Sequence, residues 1–105
     1  MATVNQGTQQ FQGLFKELWT VKETVDFGNA ATGSGTFASA DVTVPGVALG
    51  DAVGFISVGV DTVDAVIGGA VTAANTVTLT LLNNTAGAVD LASTTVKFVV
   101  GRPAW

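Results

Sequence analysis

Cysteine, histidine and tyrosine are all missing from this chain of 105 residues. Without cysteine there is no disulfide and no thiolate metal site, so the redox compartment leaves no mark on the sequence. Without histidine as well, the usual nucleophile–base pairs and zinc sites are excluded. Charge is scarce: four Lys and Arg stand against eight Asp and Glu, giving 11% charged residues and a net charge of -4. An acidic chain with so few cations has no electrostatic footprint for nucleic acid. Long apolar runs are also lacking. The most apolar window, AVGFISVGV at residues 52–60, falls well short of the ~20 residues that span a bilayer. The opening MATVNQGTQQ has neither a basic start nor an apolar run, and the chain is expected to be used without passing a translocon.

What is present is hydrocarbon: 48% of the residues are hydrophobic, and the mean hydropathy is +0.51. Low charge with high hydropathy argues against disorder, and the length suits one domain with a real core. Soluble surfaces usually carry about a quarter to a third charged residues. Either small residues cover the surface here, or much of it faces protein.

Residues 1–19 are expected to form an N-terminal arm or short amphipathic helix. Phe11, Leu14, Phe15, Leu18 and Trp19 recur at helical spacing, with Thr8 as a possible N-cap. Burying each would contribute about 1.5–3 kcal/mol against ~1–2 kcal/mol per residue ordered. Such a helix persists only when docked, and it reads as a removable accessory.

From Thr20 the period changes to two, and residues 20–105 are expected to form an all-β domain, a small jelly-roll-like β-sandwich. Val21, Val25 and Phe27 alternate with Lys22, Thr24 and Asp26, and GNAATGSG at 28–35 is a loop. Residues 36–44 form a strand ended by the Pro45-Gly46 turn, after which Val47 and Leu49 should plug the core edge. In AVGFISV, Val53 and Phe55 are placed on one face, opposite Gly54, Ile56 and Val58. AVIGGAVTA should be a bent or bulged strand because of its paired glycines. Residues 76–82 alternate most cleanly, with Val77, Leu79 and Leu81 on one face and Thr78, Thr80 and Leu82 on the other. TTVKFVV closes the sheet before the tail GRPAW.

The sequence carries little reactive chemistry. Asp61, Asp64 and Asp90 read as solvated loop acids, since calcium needs six to eight converging oxygens. No metal and no cofactor is expected. GSGTFA imitates a dinucleotide fingerprint but lacks the strand before it and the helix after it. Asn83-Asn84-Thr85 fits a glycosylation sequon, yet reads as a turn. Trp19 reads as core packing before a ligand platform; Trp105 is open between intersubunit packing and an exposed end. No catalytic apparatus is visible, and an enzyme is not expected.

The phrases SADVTVPGVALGDAV, AANTVTLTLLNNTAGAVDLAS and TTVKFVVGRP, in that order, resemble a β-domain of tailed-bacteriophage virion proteins, found in capsid decoration (cement) proteins and in head or tail fibre ends. The resemblance covers residues 25–103. It implies a homotrimer on the outer capsid surface, assembled in the host cytoplasm, that binds the major capsid protein and locks neighbouring capsomers. It carries over no enzymatic residue. The short chain suits a decoration protein better than a fibre. The candidate capsid or subunit contacts are Phe11, Leu14, Phe15, Leu18, Trp19 and Trp105. The alternative is a fibre-tip domain binding host-surface glycan.

Overall fold

The computed structural model describes residues 2–7, 14–30, 36–62, 64–85 and 87–105. They contain nine strands and no helix: β1 (Thr3–Gly7), β2 (Phe15–Val25), β3 (Asn29–Ala30), β4 (Thr36–Thr43), β5 (Ala52–Val58), β6 (Val66–Ala73), β7 (Thr76–Asn83), β8 (Val89–Asp90) and β9 (Thr94–Pro103). Every pairing is antiparallel. One sheet runs β1-β2-β9-β5 and a second runs β4-β7-β6, with β3-β8 as a small ribbon. The pair of sheets is compatible with a small β-sandwich.

Alternation builds the core. Trp19, Val21 and Val25 of β2 and Val96, Phe98 and Val100 of β9 meet Val42, Val77, Leu79 and Leu81 from the other sheet in one buried cluster. The odd residues of β7 point inward, while Thr76, Thr78 and Thr80 are half-buried on the outer face. There the Thr78 hydroxyl donates to Asp41 Oδ1 at 2.7 Å and lies 2.8 Å from Thr72 Oγ1. These bonds tie the three strands together across their outer face.

The expected N-terminal helix is not there. Phe11 and Thr8 lie outside the described residues, and Phe15, Leu18 and Trp19 belong to β2. The reason is a bulge. Phe15 pairs with Pro103 and Glu17 with Arg102, which leaves Lys16 as an extra residue. In a regular strand Phe15 and Leu18 would face opposite ways; the extra residue brings both to the outer face. A bulged strand has thus produced a spacing that imitates a helix. β2 also runs through position 19, the boundary expected between arm and domain, and it lies between β1 and β9.

A second bulge corrects β5. Phe55 and Ile56 together occupy the space opposite Phe98, between the Gly54–Val99 and Ser57–Lys97 pairs. The phase shifts by one there, so Val53, Ile56 and Val58 pack against the core while Phe55 is 86% exposed. In β6 the register shifts between Val71 and Ala73, away from the glycines. Gly69 has a different role. A Cβ there would stand 3.0 Å from both Leu79 and Val53.

The turns at one end lock together. Val47 is buried as expected, but Leu49 is exposed, because it sits at the tip of the turn closed by Asp51 N–H to Ala48 O at 3.1 Å. Asn75, with φ 62°, accepts the Gly46 N–H at 2.8 Å and donates its own N–H to Val47 O at 2.9 Å. The Pro45-Gly46 turn and the β6–β7 turn are therefore one unit.

Candidate interaction surface

Two side-chain constellations stand out among the described residues, one structural and one open to solvent. Arg102 lies at the inward-facing end of β9, beside Glu17 and above Trp19. Its guanidinium donates to Asp51 Oδ1 at 3.0 Å and Oδ2 at 2.9 Å, to Glu17 Oε2 at 3.0 Å and to Gly46 O at 2.9 Å. It also lies 5.2 Å from the centre of the Trp19 ring. Asp51 is nearly enclosed, its side chain 4% exposed. Burial pushes its carboxyl up, but the Arg102 hydrogen bonds, the Ala48 N–H and the Arg102 charge outweigh that and hold it below the usual value. The bonds to Asp51 in turn raise the Arg102 pKa against its own burial. All three guanidinium nitrogens donate within the fold, while the buried Trp19 Nε1 beneath them has no hydrogen-bond partner. The cluster is a clamp that ties β9 to β2 and to the turns at this end of the two sheets.

The open constellation lies on the outer face of the β1-β2-β9-β5 sheet. Leu14, Phe15, Leu18, Phe55 and Val99 line a groove of about 380 Å³, which also touches Val53, Gly54 and Gly101. Phe15 can cross the sheet there because Gly101 has no side chain. A Cβ on that glycine would stand 2.7 Å from two carbons of the Phe15 ring. Phe55 and Val99 also border a neighbouring hollow of about 340 Å³, lined by Thr3, Thr20, Lys22 and Lys97. Phe55 holds φ 53°, a left-handed conformation that costs a side chain of this kind about 1–2 kcal/mol. Little packing offsets that cost, since the ring is exposed.

A second apolar row crosses the other sheet. Phe37, Leu82 and Val66 are directly paired across β4, β7 and β6, and all three are exposed on the outer face.

Of the expected contact residues, Leu14, Phe15 and Leu18 come together in the groove. Trp19 faces away from it and is buried in the core at 1% exposure. Trp105 is 82% exposed, next to Ala104, whose N–H donates to Leu14 O at 3.1 Å. Sequence reasoning missed Phe55, Val99 and Gly101. The adjacent large residues Phe55-Ile56 were a sign of the phase change in β5; nothing local marks the other two.

Asp61, Asp64 and Asp90 are exposed, and no group of three or more potential metal-ligating side chains occurs among the described residues. Asn83 is fully buried, donating to Gly87 O at 2.8 Å and accepting from the Thr85 N–H at 3.0 Å. The sequon is thus an internal turn lock. Thr36, Phe37 and Ala38 of GSGTFA lie in β4, where a dinucleotide site would need a helix.

No protein-family model matches the chain, and neither a curated protein nor a solved structure matches it.

Proposed function

We propose that the chain is a virion structural protein without enzymatic activity: a capsid decoration protein of the tailed-bacteriophage kind. In this reading it binds the outer head surface and stabilises contacts between capsomers of the major capsid protein. It does so as a homotrimer, assembled in the host cytoplasm, with its sheets forming a jelly-roll-like sandwich. The observation that carries the reading is the outer-face groove around Phe15 and Leu18, where large apolar side chains are left uncovered. The exposed Phe37–Leu82–Val66 row on the opposite sheet supports it, because two separated apolar surfaces allow one contact to the shell and one to another copy. The resemblance of the turn phrases to the phage β-domain supports it further.

The test is to mix the purified protein with empty phage heads, separate bound from free by sedimentation, and image the pellet by cryo-electron microscopy. Regular density on the outer surface between capsomers is expected. Bare shells at saturating protein would end the proposal.

A further inference from the structure

Beside the groove, Lys22 and Lys97 stand directly opposite each other in the β2–β9 register. Both are exposed, and neither has an ion-pair or hydrogen-bond partner among the described residues. Like charges at opposed positions destabilise a sheet. Yet this acidic chain places two of its four cationic side chains there. Ser57 sits opposite Lys97 on the other side, and Thr20 and Phe55 border the same hollow. Phe55, immediately alongside, holds a left-handed backbone that a bulky residue rarely adopts. Uncompensated charge and backbone strain therefore coincide on one small area, the pattern of a surface shaped for an occupant.

The chemistry of that occupant follows from the surface. The lysines ask for carboxylates. The groove reached past Phe55 and Val99 is lined by hydrocarbon, so it offers a sugar ring almost nothing to bond its hydroxyls. A polypeptide with an apolar side chain following its acids matches both parts. A second copy of this chain fits less well. Among the described residues its exposed aromatics, Phe37, Phe55 and Trp105, have no acidic residue within three positions. The acids near the exposed Leu14 and Leu49, Glu17 and Asp51, are held by Arg102, which leaves the smaller Val60 and Val66 beside Asp61 and Asp64.

We propose that this face docks an acidic segment of a different protein, with carboxylates over the Lys22–Lys97 pair and a large apolar side chain in the groove beside Phe55. The inference deepens the assembly reading and rests on it in taking the occupant to be a protein.

The experiment pans a random-peptide display library against the full chain and against the Lys22→Ser/Lys97→Ser variant. The recovered peptides are then titrated by NMR at low and physiological salt. Oligogalacturonate serves as an acidic-sugar probe, and light scattering follows self-association. Recovered peptides are expected to pair acids with a large apolar residue and to shift the amides of Lys22, Phe55, Val99 and Gly101. Affinity should fall roughly tenfold in the double variant and with added salt. The variant should melt no lower than the parent, because a like-charge pair has been removed; Lys22→Gln and Lys97→Gln singly stand in if it does not fold. Recovery without acidic enrichment, equal binding by the variant, or no recovery overturns the proposal. So does tighter binding of oligogalacturonate, or an oligomer that dissociates in the variant. Empty heads separate the two readings. A double variant that decorates as well as the parent removes this surface but keeps the decoration role, whereas peptide binding without decoration by either protein does the reverse.

Discussion

Phe15 of β2 packs over the bare Cα of Gly101 in β9, so closely that a Cβ on the glycine would come within 2.7 Å of its ring. The contact seats Phe15 at the wall of the apolar groove, and it exists because the Lys16 bulge turns Phe15 outward. Fold and surface are therefore coupled at this pair.

Gly101→Val should displace the Phe15 ring and destabilise the domain by about 1–3 kcal/mol, the usual cost of overpacking. In a Phe15→Ala background the same change should cost less, with a coupling of roughly 0.5–3 kcal/mol. Urea denaturation of the four proteins measures it. Additive costs would mean that the ring does not oppose the new side chain.

The Asp51–Arg102 clamp predicts an acid limit. Its folded carboxyl lies below the ordinary value, which is about 3.9 in an unfolded chain. A depressed folded pKa contributes stability that is complete above the unfolded value and is lost as pH falls through the folded one. Melting temperature should thus be insensitive to this pair above about pH 5 and fall below about pH 4, with a shallower fall in Asp51→Asn. Arg102→Ala should cost about 3 kcal/mol, the low end for removing one partner of a buried pair, since Arg102 keeps 30% exposure. A wild-type-like acid profile in Asp51→Asn would refute the assignment.

Asn75 joins two turns from a left-handed backbone. Asn75→Ala should lose the Gly46 bond, about 0.5–1.5 kcal/mol, and add roughly 1–2 kcal/mol of strain. Asn75→Gly should lose the bond but escape the strain. Thermal melts that rank glycine below alanine would contradict this account.

Much of the fold was legible because its signals are local. The threonine–aliphatic alternation of residues 76–82 gives β7 its faces directly, and Pro45-Gly46 marks its turn. Both bulges defeated the same logic. One extra residue at Lys16 made a strand look helical, and one at Phe55 exchanged the faces of β5. Leu49 departs from the expected core-edge position for a related reason: it sits at the tip of a turn, where alternation with Val47 does not hold. The outer-face groove was half legible, through Leu14, Phe15 and Leu18. Its remainder depends on register between distant segments, as when Lys22 meets Lys97 or Phe15 meets Gly101, and no local period encodes that. The apolar spacing of Leu14, Phe15 and Leu18 was a true signal of a shared face, attached to the wrong element.

Phe55 separates stability from binding most sharply. Its ring is 86% exposed, so removing it forfeits little packing, while its φ of 53° is one that glycine adopts freely. Relief of about 1–2 kcal/mol of left-handed strain is opposed by the roughly 0.5–1 kcal/mol that glycine loses to backbone entropy. Phe55→Gly should therefore melt at or slightly above the parent temperature. The same substitution removes the ring between the lysine pair and the groove, and should weaken attachment to empty heads severalfold. Phe55→Ala provides the control, because it deletes the ring but keeps the strain, and it should bind as poorly as glycine without the gain in stability. A residue kept for folding alone would give the opposite pattern, with both variants melting lower and binding unchanged.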